Sequence, residues 1–150
     1  MAEIVIVPDA AAAGALVADE ITALVQQRAD AVLGLATGST PLTIWRSLAG
    51  RGLDFSQVRG FALDEYIGLP AGDPRSYRAT IDAEVVDVLG LDPALVHVPG
   101  DGLDGAALAG AGEQYEALIA AAGGIDLQVL GIGRTGHIGF NEPGSSFASR

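Results

Sequence analysis

Apolar runs too short for helices alternate along this chain with stretches of helical spacing, and that alternation most constrains the fold. Glu3 to Val7, Ala31 to Leu35, Val58 to Leu63, Leu95 to Val98 and Ile125 to Leu130 are apolar runs bounded by turn residues. Such runs predict buried strands. Between the first two, Val17, Ile21, Leu24 and Val25 fall on one face of a helix over about 10–28, which Asp9 can cap. A second helix is expected from Pro41, with Thr40 as its cap, to about Leu48, stopping at Gly50-Arg51-Gly52. A third, about 75–89, carries Tyr77, Ile81, Val85 and Val88 inward and ends at Gly90. A fourth, alanine-rich, covers about 104–122 and ends at Gly123-Gly124. Strands separated by helices predict an α/β protein. Its sheet is open and mostly parallel, with helices on both faces, in the Rossmann-like, doubly wound manner. Residues 1–150 are expected to form a single domain, since no repeat, low-complexity tract or linker interrupts them.

In such a sheet the ligand site lies in the loops after the strands, and three of those loops carry chemistry. The first is Thr37-Gly38-Ser39-Thr40, which offers hydroxyls and free backbone N–H groups where a helix begins. That is a phosphate cradle, or else an ordinary capped turn. The second opens with Asp64-Glu65 directly after a strand, placing a carboxylate as a general base, or as part of a solvated turn. The third is Gly131 to Pro143, where glycines surround one imidazole, His137, and a carboxylate, Glu142, sits on a stiff Asn-Glu-Pro turn. An imidazole titrates near neutral pH. Gly131-Ile132-Gly133-Arg134-Thr135-Gly136 also fits the dinucleotide pattern G-x-G-x-x-G. That pattern needs a helix opening inside it, and Gly139 and Pro143 oppose one.

Other polar residues read as structural. His97 lies inside an apolar strand, and Trp45, Tyr77 and Tyr115 lie on helices as packing residues. A metal site of Asp64, His137 and Glu142 lacks a compact ligand motif, and no G-x-S-x-G elbow is present. Eight arginines and no lysine against 19 acids leave a net charge of −11, which disfavours nucleic acid and anionic membranes as partners. The chain has no cysteine, no basic n-region before its first apolar run and no bilayer-length apolar segment. A cytoplasmic location is the expectation.

Four segments together resemble the glucosamine-6-phosphate deaminase family: Ala36-Thr-Gly-Ser-Thr-Pro41, Leu63-Asp-Glu-Tyr-Ile-Gly-Leu69, Ser76-Tyr77 and Gly136-His-Ile-Gly-Phe-Asn-Glu-Pro-Gly-Ser-Ser146. Their order and spacing match along essentially the whole chain. The related 6-phosphogluconolactonases share the fold and phosphate loop. They carry Asp-Glu-Arg where this chain has Asp64-Glu65-Tyr66, and they lack the Phe140-Asn141-Glu142-Pro143 block.

The resemblance implies conversion of glucosamine 6-phosphate and water to fructose 6-phosphate and ammonia. It implies that His137 moves a proton at the sugar ring oxygen, that Asp64 shuttles a proton from C2 to C1, and that Glu142 holds His137. Thr37, Gly38, Ser39 and Thr40 would take the 6-phosphate, so the partner is a small amino-sugar phosphate. No metal or organic cofactor is implied. Ser145 and Ser146 match serines that bind the activator in allosteric members. Many members carry an aspartate two places before the histidine, and here that place in the triad is Thr135. Family members are also longer, so the chain resembles their N-terminal part. Residues 1–150 alone are expected to turn over substrate poorly and, with a sheet edge uncovered, to self-associate as a homo-oligomer. The alternatives are a sugar-phosphate-binding module without turnover and a lactonase-like hydrolase.

Overall fold

The computed structural model describes residues 2–146. Its elements are α1 (Ala10–Gln27), β1 (Val32–Leu35), α2 (Ser39–Ala49), β2 (Arg59–Ala62), α3 (Tyr77–Ile81), a π-helical segment (Asp82–Val86), α4 (Asp87–Leu89), β3 (Val96–His97), a 3₁₀ segment (Gly105–Gly110), α5 (Ala111–Ala121) and β4 (Leu127–Gln128). A further 3₁₀ turn, Pro93–Leu95, leads into β3. The four strands form one parallel sheet in the order β3-β2-β1-β4. Successive strands step outward from β1 to β3, and the chain then returns to place β4 on the other side of β1. The order therefore reverses between β1 and β4, the place where open α/β sheets leave a crevice.

Alternation along β1 and β2 explains why both faces are covered. Leu33 and Leu35 point into a core shared with Ile21 of α1, Ile44, Trp45 and Leu48 of α2, and Ile81 and Val85 of the third helical run. Phe61 points to the other face. There its ring lies 5.0 Å from that of His97 and meets Tyr115 of α5 edge-on at 5.7 Å. The Tyr115 hydroxyl shares its one hydrogen between the carbonyls of Ala62 (2.7 Å, the shorter contact) and His97 (3.2 Å), fastening α5 over the ends of β2 and β3. Trp45, His97 and Tyr115 thus hold the structural places their sequence context implies. Arg51 closes the α1–α2 crossing through Asp19, Thr22 and the Ala15 carbonyl.

Three expectations are corrected. Glu3–Val7 is not a strand: it pairs with none of the four, and Ile4 and Ile6 are almost fully exposed. An apolar run becomes a strand only where an edge accepts its backbone, and no such edge meets it among the described residues. The helix after β1 starts earlier than Pro41. Gly38 is its N-cap at φ 105°, and Pro41 is the third helical residue. That position needs no intrahelical donor, so proline is tolerated there too. In the third helical run Val88 is exposed while Val86 and Leu89 are buried. The π-helical segment adds a residue to one turn and rotates the face that follows. Among the described residues no helix is long and apolar enough to cross a membrane.

Candidate functional site

The loops after β1, β2 and β4 meet in one cleft of about 360 Å³ at the carboxyl edge of the sheet. Its lining includes Thr37 to Pro41 from the first loop, Leu63 and Asp64 from the second, and Leu130 to Gly133, His137 and Gly139 from the third. Tyr77 completes the wall. Its inward face meets the cleft and not the core, contrary to the packing role its helical position suggested.

The β1 loop presents the N-terminus of α2 to this cleft. No side chain caps it. The first intrahelical acceptor bond of the turn is Leu42 N–H to the Gly38 carbonyl at 3.2 Å, so the N–H groups of Ser39 and Thr40 have no partner in the helix. Unclaimed donors at the positive end of a helix favour an anion. Gly38 is required for its backbone: φ 105° with ψ 177° is a region only glycine occupies readily, while a Cβ there would meet nothing within 4 Å.

Asp64 is half-buried. Burial raises its carboxyl above the ordinary range, the neighbouring Glu65 charge adds to that, and His137 opposes both. Glu65 does something the sequence does not announce. Its Oε1 accepts the N–H groups of Tyr66 (2.8 Å) and Tyr77 (2.9 Å), and its Oε2 accepts that of Arg78 (2.8 Å). It therefore ties the β2 loop to the start of α3, across a sequence gap of 12 to 13 residues that no local pattern reveals. Ser76 caps the same helix through Ala79 N–H (3.0 Å). Arg78 is committed to Asp82 and to the Val96 carbonyl. Tyr77 is pushed up to about 12, first by burial and then by the Tyr66 hydroxyl 3.4 Å away.

The β4 loop is folded on itself. Gly133 N–H donates to the His137 carbonyl at 2.8 Å, and Ile138 and Asn141 exchange two bonds of 3.1 Å. The His137 ring lies against Gly133 so closely that a Cβ there would overlap Cε1 and Nε2. No helix follows β4 at the Gly-x-Gly-x-x-Gly stretch, so the structure lacks the context a dinucleotide site requires. Thr135 lies between His137 and Glu142: its Oγ1 is 2.8 Å from Nδ1 and donates to Glu142 Oε2 at 2.8 Å. The direct separation of Nδ1 from Glu142 Oε1 is 3.4 Å. Tyr66, Tyr77 and Phe140 cluster beside the cleft with ring centroids 5.0–5.8 Å apart, joining the second and third loops.

Not every residue singled out in the sequence faces the cleft. Glu142, Ser145 and Ser146 line a separate surface depression with Gly136, Ile138, Asn141, Pro143 and Gly144. Arg134 is exposed on the turn before Thr135. Among the described residues no group of three or more His, Asp or Glu is arranged to hold a metal ion.

A parallel sheet with an open helix end, a carboxylate and an imidazole gathered beside its strand reversal defines an open α/β protein with its cleft at the carboxyl edge of the strands. Within that class, the chain belongs to the family of glucosamine-6-phosphate isomerases/6-phosphogluconolactonase, whose model matches residues 9–140. It is 56% identical over 99% of its length to a glucosamine-6-phosphate deaminase of Bifidobacterium longum (strain DJO10A), covering 59% of that protein. It is also 56% identical to a glucosamine-6-phosphate deaminase of Pseudarthrobacter chlorophenolicus, covering 99% of this chain and 58% of that one. Among solved structures it resembles a monomeric glucosamine-6-phosphate deaminase with a TM-score of 0.87 at 36% identity, covering 96% of this chain and 61% of the other. The chain thus spans less than two thirds of the length of these relatives.

Proposed function

We propose that this chain carries the proton-transfer part of a glucosamine-6-phosphate deaminase. One observation carries the reading: the open N-terminus of α2, the Asp64 carboxylate and the His137 ring line a single cleft. The α2 end takes the 6-phosphate. His137 takes the proton of the C1 hydroxyl and delivers it to the ring oxygen as the bond from C1 to the ring oxygen breaks, giving the open aldehyde. Asp64 then removes the C2 proton and returns it to C1 through an enolamine, while the C1 oxygen gains a proton and the nitrogen loses one, leaving a C1 hydroxyl and an imine at C2. Water adds at C2 and ammonia departs, giving fructose 6-phosphate. A carboxylate held above its usual range is the stronger base, and the nearer its titration lies to the working pH the better it both takes and returns a proton. Oriented groups of this kind can remove about 7–11 kcal/mol of a barrier.

No arginine is among the described residues lining the cleft, and the chain has no lysine. Among the described residues, a phosphate dianion would meet backbone donors and hydroxyls in this cleft. Residues 1–150 should bind the sugar phosphate weakly and turn it over poorly. A chimera joining them to the remainder of the Bifidobacterium longum relative should release ammonia from glucosamine 6-phosphate. If the chimera binds the sugar phosphate without releasing ammonia, the chain is a binding module. If it hydrolyses 6-phosphogluconolactone instead, the lactonase reading replaces this one.

A further inference from the structure

We infer that the Thr135 hydroxyl is the link through which Glu142 acts on His137, and that it keeps the proton of the neutral ring on Nδ1. The reasoning is a count of protons. A hydroxyl has one hydrogen to donate and lone pairs to accept with. At Thr135 that hydrogen goes to Glu142 Oε2, 2.8 Å away. The remaining contact, 2.8 Å to His137 Nδ1, must then run from ring to hydroxyl. The direct approach of Glu142 to Nδ1 is 3.4 Å, too long to compete with two bonds of 2.8 Å. Nδ1 is therefore the protonated nitrogen, and Nε2, on the edge beside Gly133 in the cleft wall, is the atom left to take up and return a proton.

The arrangement is built within one short loop. The Gly133–His137 and Ile138–Asn141 backbone bonds bring residues 135, 137 and 142 together. The acidic groups near the ring are Glu142 and, in the same cleft, Asp64. Arg134 lies on the same turn. A hydroxyl in the linking place orients the ring without adding a second negative charge beside it. Thr135 is thus a positioning residue. Its catalytic meaning rests on the role proposed for His137, but its effect on the ring does not.

The test reads the ring directly. The chain has two histidines, and the other, His97, lies against Phe61 and serves as an internal control. Nitrogen-15 chemical shifts of both rings would be followed across pH in the wild-type chain and in T135S, T135V, E142Q and T135V/E142Q. We expect the wild type and T135S to hold the neutral His137 ring in the Nδ1–H form. T135V should mix the tautomers of the neutral ring, bringing its two nitrogen-15 shifts toward one another. E142Q should loosen the Nδ1–H preference when Thr135 is present and leave the tautomer mixture nearly unchanged in the T135V background. An Nε2–H tautomer in the wild type, or a T135V ring unchanged in tautomer, overturns the inference. Equal effects of E142Q in both backgrounds overturn it too. Thr135 is exposed on a turn, so valine should leave the fold intact, and T135A provides a second removal of the hydroxyl. None of these readings needs turnover. A deaminase-active chimera with the wrong tautomer would sink this inference alone, and an inactive one with the expected tautomer would sink the proposed function alone.

Discussion

Replacing Glu65 by glutamine should weaken the fold and shift the titration of Asp64 at the same time. The carboxylate accepts three backbone N–H groups, those of Tyr66 and Tyr77 on Oε1 and that of Arg78 on Oε2. A glutamine has one oxygen. However its amide sits, its NH₂ faces at least one N–H group and leaves that donor without an acceptor. An orphaned buried donor costs about 1–3 kcal/mol. The Tyr77 and Arg78 bonds are only partly buried, so about 1–2 kcal/mol is the reasonable figure, a fall in Tm of about 2–8 °C for a chain of this size. The second effect is electrostatic. The Glu65 charge helps hold Asp64 above its ordinary range. Without it the Asp64 carboxyl should titrate at lower pH, and the acid limb of the chimera's kcat/KM should move down with it, because the base form then persists to lower pH. Thermal unfolding and carbon-13 titration of the Asp64 carboxyl read the two effects separately. A Tm unchanged from wild type, together with an unmoved Asp64 titration, would refute the role assigned to Glu65.

Three further outcomes follow from the same geometry. Asp64→Asn keeps the shape but cannot take the C2 proton, so ammonia release by the chimera should fall by about 10²–10⁴; an undiminished rate would remove Asp64 from the mechanism. Gly133→Ala places a Cβ against the His137 ring, and a displacement of about 1 Å can cost about 10²-fold in kcat. Its Tm should stay near wild type, since Gly133 does not have positive φ, and a variant with unchanged kcat and His137 shifts would show that the ring is not held there. Gly38→Ala forces a side chain into a conformation that costs about 1–3 kcal/mol, so it should lower Tm and weaken binding of inorganic phosphate measured by calorimetry. Equal phosphate affinity in the two proteins would separate the α2 end from anion binding.

Much of the architecture is legible in local patterns because local physics decides it. Asp9 is the cap of α1, accepting Ala12 N–H at 2.8 Å, and Ile21 and Val25 are buried where helical spacing puts them. The strands at Val32–Leu35 and Arg59–Ala62 are those of the apolar runs. What escaped the sequence depends on partners distant in the chain. The run at 3–7 has the composition of a strand but no edge beside it. The run at 125–130 becomes a strand of two residues, because Asp126 uses its carboxylate, not its backbone alone, to engage β1 at Val32 N–H. The π-helical turn has no signature in side-chain periodicity, so regular helical spacing puts Val88 on the wrong face. Among the candidate site residues, Thr37 to Thr40, Asp64 and His137 are gathered as their loop positions suggested. The parts missed are Tyr77 in the cleft wall and the anchoring by Glu65, both settled by how α3 docks on the β2 loop.

The return of the chain to place β4 beside β1 has a consequence for how the cleft comes into being. The bonds that seat β4, such as Val32 N–H to Asp126, join residues 94 positions apart, whereas β1, α2 and β2 are consecutive. Closing so long a loop costs entropy before any contact rewards it, and pairing of distant segments is correspondingly slow. The β1-α2-β2 unit, with the open α2 end and Asp64, should therefore form first, and the His137 loop should be delivered last. Native-state hydrogen exchange would show this as weaker protection at Val129 than at Phe61. A ligand that touches both walls would then raise protection most at the late-forming one, since it stabilises only the state in which the two are together.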